Sequence, residues 1–218
     1  KSMSWNDIGN HLSKLPENSS AKISLNGKTT LPEAVISAIK DRKLTVEFVY
    51  DSVKSWVVRG DKIGTVSAAE FAAFPGNADS SALRGVFGVD LKVGGTNVPA
   101  ELKLAFRKGF AGQFANVYKL NGGVLEFQRC VKVGADATAV IPGADTAGEY
   151  VVMVCEFSDV PGDADNDGVL RALDASAVLK EAVGMAKSAN AAVCDFNGDG
   201  EVNALDAAAV LKAVVGVR

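Results

Sequence analysis

Twelve residues beginning at Asp163, DADNDGVLRALD, return 32 positions later as DFNGDGEVNALD from Asp195. Aligned from Asp163–Gly184 against Asp195–Gly216, the two stretches share 13 identities in 22 positions. This is an internal duplication, and duplicated units are expected to bury their apolar faces against each other. In each copy acidic or amide side chains stand at every second residue, glycine follows the third, and a carboxylate returns at position twelve. No other feature constrains the chain as much, because carboxylates crowded this closely repel one another unless a cation lies among them.

A hard cation such as calcium takes six to eight oxygens. A loop supplies them with side chains at positions 1, 3 and 5, a carbonyl at position 7 and a carboxylate at position 12, with glycine at the sharp turn of position 6. Loop one then offers Asp163, Asp165, Asp167, the carbonyl of Val169 and Asp174, with Gly168 at the turn. Loop two offers Asp195, Asn197, Asp199, the carbonyl of Glu201 and Asp206, with Gly200 at the turn. Arg171 fills position 9 of loop one, where it cannot ligate. Charge agrees with this reading. Residues 158–218 hold ten Asp/Glu and five Lys/Arg, a net of −5, so the chain total of −3 leaves +2 for residues 1–157. Two Ca²⁺ bring the segment to about −1 by addition.

These loops are not complete EF-hands, which need a helix on each side. Pro161-Gly162 precedes the first ligand, and only MAKSANAAV stands before the second loop. Each loop is followed by one helix, ALDASAVLKEAVG or ALDAAAVLKAVVG, ending at a capping glycine, Gly184 or Gly216. At 100° per residue, Ala175, Val178 and Ala182 form one stripe, as do Ala207, Val210 and Val214. Leu173 and Lys180 lie nearly opposite the first stripe, with Leu179 on the flank. Leu205, Lys212 and Leu211 repeat that arrangement. A two-helix unit buries one stripe, so a repeated leucine on the far side predicts a second, protein-binding surface.

The pattern D-x-[DN]-x-D-G-x-[VIL]-x-A-L-D, followed by a helix that ends in VLK and glycine, resembles a dockerin over residues 160–218. The resemblance implies two calcium ions and a cohesin partner on a scaffoldin of an extracellular, cellulosome-type polysaccharide-degrading assembly. It implies recognition residues at Ala172, Leu173, Leu179, Lys180, Ala204, Leu205, Leu211 and Lys212. Both copies read Ala-Leu where the best-known type carries hydroxyl residues, so the contact is expected to be more apolar. The copies agree at every one of these positions, which implies docking in either of two orientations.

Upstream, SWNDIGNHLSKL and TTLPEAVISAIKDRK read as helices, the second with Thr30 as N-cap and Pro32 early. LTVEFVY and SWVVRG read as strands, and from about Leu83 strand follows strand to GEYVVMVCEF, with LNGGVL as a hairpin turn. The expected fold class is α+β. A mixed α/β piece and a β-sandwich-like part occupy residues 1–158, with a subdivision near residue 76, and a small all-α unit of two loop–helix repeats occupies 159–218. The sandwich before the dockerin-like segment resembles the X modules found in that position, which implies structural support. The opening KSMSW has no basic-then-apolar leader, so a removed signal or, preferably, an internal fragment is expected of a secreted protein.

Other functions are less well supported by the residues. No G-x-S-x-G, H-E-x-x-H, P-loop or dinucleotide fingerprint occurs, so no catalysis is expected. Trp5, Trp56, Tyr50, Tyr118 and Tyr150 offer stacking platforms for a carbohydrate, although aromatics in strands more often serve a core. A calcium sensor would need entering helices and a Met-rich groove, and the segment has Met185 alone. Cys130 and Cys155 lie in expected strands, where two buried free thiols are preferred to a disulfide.

Overall fold

Strands from either side of residue 76 join in one sheet. The computed structural model describes residues 3–216, so Lys1 and Ser2 of the opening KSMSW lie outside the described residues. The first helix, α1 (Trp5–Leu12), starts at a capping box: Ser4 Oγ accepts from the Asp7 N–H at 3.1 Å, and the Asp7 carboxylate accepts from the Ser4 N–H at 3.1 Å. Strands β1 (Ser20–Ser24) and β2 (Thr30–Leu31) follow, then α2 (Glu33–Asp41) and β3 (Thr45–Val49). The N-cap of α2 is Pro32 and not Thr30. Thr30 is held instead in β2, where its hydroxyl donates to Glu70 at 2.7 Å. Helix α2 buries Val35, Ile36, Ala38 and Ile39 and carries the chain back so that β3 pairs with β1 in parallel.

The remaining strands are β4 (Lys54–Arg59), β5 (Ala69–Glu70), β6 (Ala73–Pro75), β7 (Phe87–Val93), β8 (Glu101–Ala105), β9 (Phe114–Asn121), β10 (Val124–Lys132), β11 (Thr138–Ile141) and β12 (Gly148–Cys155). One sheet runs β1-β3-β4-β8-β11, another β10-β9-β12-β7-β6, and β2 pairs with β5. The boundary expected near residue 76 therefore crosses one sheet, where Trp56 of β4 faces Leu102 of β8. It also crosses one core. Phe48, Trp56 and Leu102 of the first sheet share that core with Leu91, Val117 and Val152 of the second and with Ile36 and Ile39 of α2. The misreading has a local cause. A βαβ crossover looks self-contained in sequence, yet its strands had to complete a sheet whose other members come later.

LNGGVL turns as expected, with Gly122 and Gly123 both at positive φ (57° and 87°) between β9 and β10. Of the aromatic side chains considered as platforms, Trp56, Tyr118 and Tyr150 are buried, and Trp56 Nε1 donates to the Phe71 carbonyl at 3.1 Å. The cysteines are free. Strand β9 lies between β10 and β12, with Cys130 opposite Asn116 and Cys155 opposite Phe114, so the two cysteines stand two strand spacings and two residues apart, more than about 9–10 Å and beyond disulfide reach. Burial pushes the Cys130 thiol up to about 11.

The outer face of the first sheet carries Glu47, which receives Lys22 Nζ at 3.0 Å, Lys103 Nζ at 2.9 Å and Ser55 Oγ at 3.0 Å. Burial works against its charge, but the hydrogen bonds from Lys103, Lys22 and Ser55 outweigh this and hold the carboxyl below its ordinary value. A carboxylate with a lowered folded value adds stability above its unfolded value and loses it as pH falls through the folded one. Glu47→Gln is expected to cost about 1 kcal/mol at neutral pH, and the cost should vanish in acid, once the pH is below the lowered folded value. Urea denaturation at the two pH values checks this. A cost that persists in acid would mean the ion pairs are not its source.

After β12, residues 156–162 lead into the duplicated segment. Arg84, from the loop before β7, closes the junction. Its Nε reaches Asp159 at 3.1 Å, its Nη1 the Asn190 side-chain oxygen at 3.0 Å and its Nη2 the Ser158 carbonyl at 2.8 Å, while Asp159 also accepts from the Tyr118 hydroxyl. Burial and this hydrogen bond raise the Tyr118 phenol above its usual range.

Candidate calcium loops and docking face

Pro161 and the positive φ of Gly162 (80°) keep a helix from entering loop one. Gly168 and Gly200 both stand at φ 91°, the backbone shape that a turn at position 6 requires. Asp163 is fully buried, and its two oxygens accept from the N–H groups of Asp167 at 3.0 Å and Gly168 at 2.8 Å. Asp195 repeats this in loop two with Asp199 at 3.1 Å and Gly200 at 2.9 Å. At position 12, Asp174 accepts from Asp165 N at 3.2 Å and Arg171 N at 2.6 Å, and Asp206 accepts from Asn197 N at 3.0 Å and Asn203 N at 2.9 Å. Position 12 thus ties each loop to the first turn of its helix, α3 (Ala172–Ala182) or α4 (Ala204–Val214).

One oxygen each from Asp163, Asp165 and Asp174 lies within 4.8 Å of the others. The Asp165 carboxyl is raised by burial and then by the charges of Asp174 and Asp167, so negative charge converges on one point. Asp167 stands aside from this group: Val169 N donates to one oxygen at 2.9 Å and Arg171 Nη1 to the other at 2.6 Å. In loop two Asn197 Oδ1 accepts from Asp199 N at 2.9 Å, and Asp199 accepts from Glu201 N at 2.9 Å. The Asp206 carboxyl is lowered; burial opposes this, and the backbone N–H groups of Asn197 and Asn203 outweigh it. Val169 and Glu201 each follow the glycine turn, as position 7 requires. The donors are carboxylate, amide and carbonyl oxygens only, a set that fits calcium and not a soft metal.

The core between α3 and α4 is small. Ala164, Ala175, Val178, Cys194, Ala207 and Val210 are buried, with Leu170, Ala177, Phe196 and Val202 packed on them. Mostly small side chains give little hydrophobic stabilisation to a segment of this size, which favours a metal as staple. Val214, expected in the buried stripe, is exposed near the end of α4.

The opposite face is open. Ala172, Leu173, Leu179, Lys180, Ala204, Leu205, Leu211 and Lys212 are all exposed. Leu173 and Leu205 are 68% and 66% accessible, and Leu179 and Leu211 are 44% and 45%. The near-equality decides a point: neither copy's face is covered by the N-terminal module. Three residues that the sequence reading did not single out, Arg84, Asn166 and Asn190, tie loop one to that module. Among the described residues, no helix is long and apolar enough to cross a membrane.

Comparison with curated proteins gave no match, and comparison with solved structures gave none. Residues 161–215 match the family model described as the dockerin type I domain, a family of domains that bind calcium and dock on cohesins.

Proposed function

We propose that this chain is a non-catalytic, calcium-dependent docking unit that binds a cohesin of a scaffoldin or anchoring protein. In this reading the chain is secreted, and the cohesin contact helps to assemble or anchor a polysaccharide-degrading complex. Two Ca²⁺ are held, one by Asp163, Asp165, Asp167, Val169 and Asp174, the other by Asp195, Asn197, Asp199, Glu201 and Asp206. Residues 1–158 act as an X-type supporting module. One observation carries the proposal: Leu173 and Leu205 stand exposed at equivalent places of the two copies, on the side of each helix away from its buried stripe. An isolated exposed leucine needs no explanation, but a matched pair flanked by Leu179 and Leu211 forms a repeated apolar surface. Capture of the full chain by immobilised cohesins of several types, with calcium and with excess chelator, tests it. Binding to at least one cohesin with calcium, lost in chelator, is expected. Equal capture in chelator would remove calcium from the account, and no capture by any cohesin would remove the partner.

A further inference from the structure

We propose that the N-terminal module holds loop one in its ion-binding shape and leaves loop two to itself, so that the loops take up calcium unequally, loop one first. This rests on the calcium reading of the two loops. The copies differ at position 4, where Asn166 and Gly198 share a left-handed backbone (φ 61° and 76°). Glycine adopts that shape without cost, whereas asparagine is strained there unless its side chain is used. Asn166 uses it outside the loop: its Oδ1 accepts from Ser158 N at 2.9 Å, and its Nδ2 donates to the Glu156 carbonyl at 3.1 Å.

The copies differ again at position 6. A Cβ on Gly168 would come within 2.8 Å of the Phe114 ring of β9, whereas one on Gly200 would meet nothing within 4 Å among the described residues. Loop one therefore lies against the second sheet. Asn190, which Arg84 holds, also donates from its backbone N–H to the Ala164 carbonyl at 3.1 Å. Asp163 is accordingly buried and Asp195 half-exposed. The side-chain hydrogen bonds of loop two, among the described residues, close within the loop and the first turn of α4.

Charge does not favour loop one. Over its twelve positions loop one holds four carboxylates and Arg171, which pairs with Asp167, for −3, whereas loop two holds Asp195, Asp199, Glu201 and Asp206 for −4. Pre-ordering is what favours loop one, and it acts against this difference of one charge. A loop already held in shape loses less conformational freedom when it closes on an ion.

Amide hydrogen exchange of the full chain across a series of free calcium concentrations reads the difference. As calcium falls, the amides of Asp199 and Gly200 are expected to lose protection at about tenfold higher free calcium than those of Asp167 and Gly168. Asn166→Gly keeps the backbone shape and removes the two hydrogen bonds, and it should close most of that gap. Gly198→Asn should leave loop two no tighter, because among the described residues nothing lies within 4 Å of a Cβ at that position. Loops that depend on calcium but open in step, a loop two that outlasts loop one, or a gap unchanged in Asn166→Gly would each overturn this inference alone. Protection indifferent to calcium in both loops would overturn the calcium reading, and this inference with it.

Discussion

Leu173→Asp together with Leu205→Asp should abolish cohesin capture, with at least about a hundredfold loss of affinity, while either change alone should weaken it by about twofold. Both leucines are about two-thirds exposed, so an aspartate at either place costs the free fold little. The loss in the double variant comes from forcing a charge into an apolar contact. The small loss in the single variants follows from duplication. Each copy presents Ala-Leu before its helix core and Leu-Lys one and a half turns later, so a half-turn of the domain offers the partner nearly the same surface. Two equivalent orientations contribute a factor of two in the association constant, and spoiling one leaves the other. Titration calorimetry of three variants against one cohesin suffices. A loss of a hundredfold or more from Leu173→Asp alone, with Leu205→Asp silent, would show that the chain docks in a single orientation.

The second large effect is expected at Arg84. Arg84→Ala should destabilise the chain by about 2–3 kcal/mol and lower its unfolding midpoint in denaturant. The guanidinium is about one-third exposed and Asp159 less so, which makes the cost smaller than for a fully buried pair. It is still large, because one fork serves three acceptors on different stretches of chain: Asp159, Asn190 and Ser158. Without it the Asp159 carboxylate keeps the Tyr118 hydroxyl but no cation, and the Asn190 oxygen has no donor. Arg84→Lys restores the charge without the fork and should recover only part of the loss. If Lys recovers all of it, charge alone matters and the geometry of the junction does not. If Ala is neutral, the two modules are not energetically joined there.

How much of this could be read from sequence differs by region. The shape of the loops was legible because a glycine turn and acidic or amide side chains at fixed intervals are local features of the sequence. The outward face was legible because a helix has one period: Leu173 and Val178 cannot both point inward. The boundary near residue 76 was misplaced because strand pairing is not local. Nothing in SWVVRG says that Trp56 will face Leu102. Thr30 was assigned to a cap because hydroxyls before helices usually serve there, yet its partner was Glu70 in a strand that only the fold brings near. The junction was missed for a similar reason. Arg84 and Asn190 are far apart in the chain and ordinary in type. Asn166 did leave a trace: the other copy has glycine at the same position, and asparagine in a left-handed turn invites the question of what its side chain holds.

The stretch from Glu156 to Val160 has consequences for anyone who would take the chain apart. It looks like a linker, yet its backbone groups are spoken for: the carbonyls of Glu156, Phe157 and Ser158 accept from Asn166, Asn116 and Asn190, and the N–H groups of Ser158 and Asp159 donate to Asn166 and Asn116. A protease needs several residues of free extended backbone, and none is offered here. Scission at this point would also strip cover from the outer face of the second sheet, where Asn116 and Tyr118 reach across to it. The natural unit for expression and dissection thus runs through the boundary that composition suggests.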